Sequence, residues 1–341
     1  MVATSGRNGT RLAAVLILAC TGLAAAGCSS ASGSAASARR HGAAIVATSG
    51  SLQYLNDATL GRAFTKATGW RYRGRSADAL AASGPAGRSQ PNVVESVGTQ
   101  PFAVHGHRLS RWYVQYAATS MVIAYNPATR YGAQLAAIAH RPDLARNPKV
   151  LAGLFPLLAR PGLRLGRPAP GSDPQGTAFI EMLELAQRQY GFPASLIPKI
   201  LRGPVTATTG PQIFDSRTLV HRLQAGQLDA IAAYRSEVVQ LHLRYISLPS
   251  AINLGDPSRK QLYGSVSVPL AGGTVAHGEP LVINITTVGK PSEAAQAFVA
   301  FVLSAGGLAL HYQGGFHITS VIAFGDRRAI PATIRNELAQ T

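Results

Sequence analysis

The feature that most restricts the fold of this chain is a recurring order of elements: an apolar strand, a turn of small residues, and then a helix. The strand AAIVAT at 43–48 leads into Ser49-Gly50-Ser51 and a helical pattern. The stretch LGRPAPGSDPQG at 165–176 repeats that order, with Asp173 placed to cap a helix and Pro174 at its first position. Alternation of this kind predicts a parallel α/β sheet, in which ligands bind beyond the carboxyl ends of the strands.

Further junctions carry the same small residues. The segment WRYR at 70–73 runs into Gly74-Arg75-Ser76, and LDAIAA at 228–233 runs into Tyr234. Serine and glycine are good turn and capping residues, so each junction alone has two interpretations, a cap or one wall of a binding site. Because the junctions occur in both halves of the chain, the pattern favours a site between two lobes.

The N-terminal segment predicts export. Two arginines precede an uncharged run from Leu12 to Gly27, and Cys28 follows, which is the pattern of a secretory signal peptide over residues 1–27. The end of that run resembles a bacterial lipobox, although Ala25 stands where leucine is usual. We expect lipidation at Cys28, a Ser/Ala/Gly tether over 28–42, and a protein held on the outer face of the cell membrane. Simple secretion is the alternative.

Composition narrows the functional classes. Only two cysteines occur, and Cys20 would leave with the signal, so no intramolecular disulfide is expected. The net charge of +17 comes from arginines and lysines that are scattered along the chain, whereas a nucleic-acid-binding protein is expected to cluster them. The charge is typical of a surface near anionic lipid, and it also gives a modest bias towards anionic ligands.

Enzyme motifs are absent from the sequence. There is no nucleophile elbow, P-loop, zinc-protease motif or dinucleotide fingerprint. The one close histidine pair, His105 and His107, has the spacing of a surface loop rather than of a metal site. The sequence therefore predicts no enzyme, no cofactor and no resident metal.

Five segments together resemble a known family. They are Gly50-Ser51-Leu52 after the first strand, MVIAY at 121–125, GRPAPGSDPQG at 166–176, LDAIAAYRSEVVQLHLRYISLPSAINL at 228–254, and EAAQAFVAFVLS at 293–304 with Gly314-Gly315-Phe316 further on. The chain resembles the substrate-binding lipoproteins of molybdate/tungstate ABC importers, in their archaeal-type branch, within the type II periplasmic-binding-protein superfamily. The resemblance covers most of residues 45–316.

The resemblance implies a two-lobed α/β fold that closes on a ligand. Each lobe would be a mixed, mostly parallel sheet flanked by helices. Lobe 1 would comprise residues 43–125 and 246–341, and lobe 2 residues 126–245. The implied partners are a tetrahedral oxyanion, an ABC permease with its ATPase, and the membrane through the lipid anchor, with no nucleic acid; the protein would be a monomer.

The resemblance also implies the binding residues. Ser51, next to Gly50, and Ser76 match the hydroxyl donors of the first lobe. Tyr234 matches a tyrosine that donates its hydroxyl from the second lobe.

Asp173 and Gln175 match the helix start of the second lobe, with the metal centre of the oxyanion near Asp173. In this branch an Asp and a Glu complete the coordination of that centre. Ala233 occupies the position of the Glu, so the second carboxylate is missing.

The predicted function is therefore that of an extracytoplasmic solute-binding lipoprotein that delivers molybdate or tungstate to an importer. Two alternatives remain. The same fold could bind sulfate, phosphate or another small anion, because Ala233 departs from the family pattern. The chain could also be a sensor or interaction lipoprotein with no role in transport.

Overall fold

The computed structural model describes residues 42–76, 90–98, 109–141, 143–144 and 148–340. The predicted signal peptide, the lipidation site Cys28 and the tether up to residue 41 lie outside this part of the chain. So do His105, His107 and the helix expected after Ser76.

The first strand leads directly into a helix with an inserted π turn. β1 (Ala43–Thr48) is followed by α1 (Gly50–Leu55), a π turn (Asn56–Leu60) and α2 (Gly61–Thr68). Leu55 and Leu60 are five residues apart, which does not fit the α-helical repeat. The wider π turn absorbs the extra residue, so that both side chains are buried on one face.

A six-stranded sheet contains strands from both ends of the described chain. Its order is β12-β4-β11-β3-β1-β2. β1 is parallel to β2 and to β3, whereas β11 and β12 pair antiparallel with their neighbours. The remaining strands of this sheet are β2 (Arg71–Ser76), β3 (Val93–Val97), β4 (Trp112–Ala118), β11 (Val282–Thr287) and β12 (His317–Gly325).

A second sheet of four strands is built from the middle of the chain. Its order is β6-β7-β5-β8, in which β6 and β7 are parallel and β5 is antiparallel to β7 and to β8. The strands are β5 (Met121–Tyr125), β6 (Leu165–Gly166), β7 (Ala230–Tyr234) and β8 (Arg244–Ser247). A separate hairpin pairs β9 (Ser267–Pro269) with β10 (Val275–His277).

The pairing within the sheets corrects one expectation. The sheets are mixed, but antiparallel pairs outnumber parallel pairs among the described strands, so they are not mostly parallel. The reason is that β11 enters the larger sheet from the opposite end to β1 and β3. The lobe boundaries at 125/126 and 245/246 remain a prediction. In sheet membership, Met121–Tyr125 belongs to the four-stranded sheet.

Helices cover both sheets. In the described chain the longest is α6 (Pro174–Tyr190), which begins at the predicted Asp173-Pro174. The other helices after α2 are α3 (Gly132–Ala139), α4 (Pro148–Ala152), α5 (Leu154–Leu158), α7 (Leu196–Leu201), α8 (Ser216–Gln224), α9 (Arg235–Gln240), α10 (Lys260–Tyr263), α11 (Glu293–Leu303), α12 (Ala305–Gln313) and α13 (Ala332–Leu338).

The chain passes between the two sheets at two adjacent places. Thr119 and Ser120 connect β4 to β5, and the return passes through the segment around Asn253. The backbone N–H of Met121 donates to the carbonyl of Asn253 at 2.8 Å, and that of Thr119 donates to Leu281 at 2.9 Å. The two connections are therefore hydrogen-bonded side by side.

None of the described helices is by itself both long and apolar enough to cross a bilayer. Taken together, Glu293–Leu303 and Ala305–Gln313 reach that length and composition, but they are bent by 64° where they meet.

A buried polar cluster lies beneath the larger sheet. Glu95 of β3 accepts from Asn56 Nδ2 at 2.6 Å and from the hydroxyl of Tyr116. Nε2 of His311 lies 2.9 Å from the Tyr116 hydroxyl, and all four side chains are almost completely buried. The cluster ties the π turn, two strands and α12 together, and buried polar groups connected in this way are expected to fix one arrangement of these elements.

Candidate functional site

A cleft of about 600 Å³ lies between α1 on one side and α8 and α9 on the other. Gly50 and Ser51 contribute from α1, Ser216 from α8, and Glu237 and Gln240 from α9. The cleft therefore brings the first predicted junction next to the two helices that precede and follow β7 of the smaller sheet.

The first wall of the cleft follows the carboxyl end of β1. Ser49 is the N-cap of α1, but its side chain makes no capping hydrogen bond, and Ser51 lies within the helix. The hydroxyls of Thr48 and Ser49 are buried and have no hydrogen-bond partner among the described residues. Ser51 is therefore not the capping residue, and two neighbouring hydroxyls that the sequence analysis did not select are unpaired.

Ser76 ends β2 beside this wall. In the parallel register of β1 and β2, the Cα of Ser76 pairs with that of Thr48. The structure therefore brings the backbone of Ser76 to the same sheet edge as residues 48–51.

The start of α6 contacts the second wall through Ser216, although Asp173 itself is not part of the cleft lining. Asp173 is the N-cap: its Oδ1 accepts from the backbone N–H of Gln175 at 2.8 Å. Its Oδ2 accepts from the hydroxyl of Ser216 at 2.8 Å, at the start of α8. Both carboxylate oxygens of Asp173 are thus engaged in holding two helix starts, which supports the capping interpretation of this residue.

Gln175 is buried behind the cleft and connects two elements. Its side-chain Nε2 donates to the carbonyl of Ala232 at 2.8 Å and lies 3.4 Å from Oε2 of Glu237. Its Oε1 is buried without a partner in the described part of the chain. Gln175 therefore positions α9 against the end of β7.

Glu237 is a cleft residue that the sequence analysis missed. It lies in the first turn of α9 and is mostly buried. Burial raises the pKa of its carboxyl to about 7, the charge of Asp173 adds to this, and the hydrogen bond from Gln175 opposes it. The sequence does contain one signal for Glu237, its spacing from a predicted site residue. Glu237 follows Tyr234 by three residues, which is close to one helical turn.

Tyr234 ends β7 with its side chain only 1% exposed. Its hydroxyl has no hydrogen-bond partner among the residues that the structure describes, and Tyr234 is not part of the cleft lining. Burial raises the pKa of Tyr234 well above its usual value, with further contributions from nearby carboxylates, among them Asp173 and Glu237. Tyr234 is therefore a neutral, buried and unused donor beside the acidic groups of this region.

Ala233 faces the opposite side of β7. It packs in an apolar cluster with residues that include Val122, Leu219 and Val238, and it is completely buried. A carboxylate at this position would enter that cluster. The position that matches the second carboxylate of the family is thus occupied by an apolar side chain, packed among other apolar side chains.

The cleft also carries exposed charges. Asp57 and Arg62 belong to the wall of α1 and α2, and Arg217 and His221 belong to α8. Within the described ranges, no group of three or more His, Cys, Asp or Glu side chains has an arrangement that could hold a metal ion. The lining therefore combines serine hydroxyls with exposed charges of both signs, and Glu237 is its mostly buried acidic group.

The family follows from comparison with known sequences. The sequence model described as bacterial extracellular solute-binding protein matches residues 44–317. The chain belongs to this family. Membership confirms the predicted class of extracytoplasmic solute-binding protein.

Curated relatives point in the same direction. The chain is 33% identical over 195 residues to a candidate ABC transporter molybdenum-binding protein of Haloferax volcanii, covering 57% of each chain. It is 28% identical over 234 residues to the molybdate/tungstate-binding protein WtpA of Pyrococcus abyssi, covering 63% of this chain and 64% of the relative. The chain thus spans about three-fifths of the length of these relatives, and the predicted resemblance is confirmed.

A solved structure shares the fold. PEB3 bound to L-phospholactate superimposes with a TM-score of 0.50 at 10% identity, covering 80% of this chain and 98% of PEB3. This level of identity is informative about fold alone. The chain has the two-lobed α/β fold of type II periplasmic binding proteins, as the sequence predicted.

Proposed function

We propose that this solute-binding protein captures a tetrahedral oxyanion, molybdate or tungstate, in the cleft between α1 and α8–α9, and delivers it to an ABC permease and its ATPase. The observation that carries this proposal is a set of buried hydroxyls, those of Thr48, Ser49 and Tyr234, that have no hydrogen-bond partner among the described residues. None of the three residues is part of the lining of the open cleft, but Ser49 adjoins Gly50 and Ser51, which are. Native proteins rarely leave buried donors unpaired, and each such donor calls for an explanation. A ligand with several acceptor oxygens would supply one.

The choice of anion rests on the relatives. The Pyrococcus protein is named for molybdate and tungstate, and the Haloferax protein for molybdenum. The arginines at the exposed part of the cleft support a negatively charged ligand, because they would raise its local concentration.

In the proposed mechanism, neutral donors hold the anion. Ser51 and Ser76 would donate from the first lobe, with Thr48 and Ser49 beside them, and Tyr234 would donate from the second. Tyr234 lies outside the cleft lining, so binding would require the lobes to rotate about the paired connections near Thr119 and Asn253. Closure would then report occupancy to the permease.

The finer parts of the proposal concern boundaries and anchoring. Lobe 1 would comprise residues 43–125 and 246–341 and lobe 2 residues 126–245, with the passage before β5 as one connection. A lipid on Cys28 would hold the protein on the outer face of the membrane. The charge of +17 supports a position near anionic lipid headgroups.

A second candidate keeps the site and changes the ligand to sulfate, phosphate or another small anion. It is favoured by Ala233, because this residue and its apolar surroundings supply no carboxylate at the position of the family Glu.

Calorimetric titration of the purified protein with molybdate, tungstate, sulfate and phosphate tests both candidates. Molybdate or tungstate should bind with the lowest dissociation constant and raise the melting temperature as mass action requires. Preferred binding of sulfate or phosphate would support the second candidate. Failure of all four anions to bind would overturn the proposed function. Small-angle scattering with the tightest anion should show a smaller radius of gyration, and an unchanged radius would contradict lobe closure.

A further inference from the structure

We propose that Glu237 takes up one proton when a fully deprotonated oxyanion binds, so that anion capture by this cleft is proton-coupled. The inference rests on the proposed function and deepens it, because it concerns the chemistry of the same site. The cleft is proposed to bind an anion, yet the carboxyl group of Glu237 belongs to its lining.

The position of Glu237 is fixed by the elements around it. α9 packs against α1 across the cleft and against β7 and β5 on its own side. The side chain is 9% exposed, and Oε2 lies 3.4 Å from Nε2 of Gln175. Gln175 is itself held by the carbonyl of Ala232, so the carboxyl cannot swing away into solvent without losing this contact.

The charged groups facing Glu237 do not neutralise it. Asp173, at the start of α6, is the charged group whose field acts on it, and this charge has the same sign. α1 contributes no ionisable group other than Tyr54, β7 contributes Tyr234, and β5 contributes Tyr125. Arg235 on α9 itself donates to the carbonyl of Gly315.

On the remaining wall, Arg217 and His221 of α8 and Asp57 and Arg62 beyond α1 line the cleft at exposed positions. No Arg, Lys or His is hydrogen-bonded or ion-paired to Glu237 in the described chain. A dianion entering the cleft would therefore meet an acidic group with no cation bound to it.

The energetics favour protonation on binding. A buried carboxylate close to a dianion is strongly repelled, whereas the neutral acid has an O–H that can donate to an anion oxygen. The free carboxyl already has a pKa of about 7, so little free energy is needed to protonate it near neutral pH. One solvent proton adds to the Glu237 carboxylate, no other bond changes, and the new O–H becomes one more donor to the ligand.

The same geometry distinguishes two kinds of oxyanion. A ligand without its own hydrogen, such as molybdate or sulfate, requires the proton from solvent. A ligand that carries an O–H, such as hydrogen phosphate, can donate to the ionised Glu237 and requires no proton uptake. Proton uptake is therefore expected for the first kind and not for the second.

The test is calorimetry with molybdate at pH 8 in several buffers of different ionisation enthalpy, which gives the number of protons taken up per site. We expect a value near one for the wild-type protein, and a dissociation constant that rises about tenfold from pH 7.5 to 8.5. Glu237→Gln keeps the shape and a donor, so it should bind with almost no pH dependence over this interval and no proton uptake.

Glu181→Gln is the matched control. Glu181 is also buried, its pKa is also raised to about 7, and it is not part of the cleft lining. This variant should keep the proton uptake. Tight molybdate binding by the wild type without proton uptake would overturn the inference and leave the proposed function standing. Absence of binding at both pH 6 and pH 8 would instead overturn the proposed function.

Discussion

The hydroxyl of Ser216 donates to Oδ2 of Asp173 at 2.8 Å, so one carboxylate connects the starts of two helices that are 43 residues apart in sequence. The other oxygen of Asp173 caps its own helix through the N–H of Gln175. Both oxygens thus have a structural role before any ligand arrives. Asp173 therefore has a capping role that does not depend on any direct coordination of the ligand.

Asp173→Asn is expected to leave the fold stable and molybdate binding intact. Asparagine caps helices about as well as aspartate, so the free energy of unfolding should change by less than about 1 kcal/mol. Removing the charge also removes repulsion of an anion, so affinity should stay the same or increase several-fold. Calorimetry and urea denaturation measure both quantities. A loss of affinity of a hundred-fold or more would show instead that the carboxylate bonds directly to the ligand.

Tyr234→Phe should stabilise the empty protein and weaken anion binding. The Tyr234 hydroxyl is buried without a partner in the described structure, and removing such a group relieves a cost of about 1 kcal/mol or more. If the hydroxyl donates to the bound anion, affinity should fall about ten- to a hundred-fold. Thermal melting without ligand and calorimetry with ligand test the two effects. Unchanged affinity would remove Tyr234 from the site.

Ser51→Ala tests the first lobe separately. Ser51 is not the N-cap of α1, so the substitution should change stability by less than about 0.5 kcal/mol. A loss of about ten-fold or more in affinity is expected because the hydroxyl lines the cleft. Equal dissociation constants for the variant and the wild type would contradict a donor role.

Gly315→Ala should strongly destabilise the protein. Gly315 has φ +87°, and an added Cβ would lie 2.7 Å from Cβ of Val239 on α9. The backbone conformation and the close contact both oppose a side chain, so we expect a loss of about 2 kcal/mol or more in urea denaturation. Gly306→Ala is the matched control. A Cβ added at Gly306, on α12, would lie 3.9 Å from Oγ of Ser304, which is an ordinary contact, so this substitution should increase the free energy of unfolding by up to about 1 kcal/mol. Equal effects of the two substitutions would refute this explanation.

The buried Glu181 predicts how stability depends on pH. Burial and the nearby Glu279 raise the pKa of Glu181 from 4.5 to about 7. The folded protein then binds this proton more tightly than the unfolded chain does. The contribution of Glu181 to the free energy of unfolding should decrease as pH rises from 4.5 to 7 and level off above pH 7.

Glu181→Gln should therefore be more stable than the wild type at pH 7.5, by at most about 3 kcal/mol, and nearly equal to it at pH 5. Urea denaturation at several pH values measures the difference. A constant difference across this interval would mean that Glu181 titrates normally.

Local signals in the sequence predicted helix starts well. Asp173 caps the helix expected after it, because a cap depends on residues within one turn. The strands at 43–48 and 230–234 were also predicted, since each is a short, mostly apolar segment next to a turn. The direction of pairing was not predictable, because it depends on where β11 and β12 return along the chain.

The acidic surroundings of Tyr234 show what the sequence could not supply. The carboxylates that act on its hydroxyl come from Asp173, Glu181, Glu237 and Glu279, which lie on four separate segments. Only folding brings them together, so neither their interaction nor the raised pKa of Glu237 could be read from spacing. The π turn at Asn56–Leu60 was likewise hidden, since its only signal is the five-residue step from Leu55 to Leu60.

The central place of β11 in the larger sheet determines when that sheet can be completed during synthesis. β4 pairs only with β11 and β12, and β11 alone joins β4 to β3, β1 and β2 in the described sheet. Until Val282–Thr287 has been made, β4 has no strand beside it and the sheet remains in two unconnected parts. Contacts between such distant segments form slowly. The larger sheet of this chain therefore cannot be completed until most of the chain has been translated.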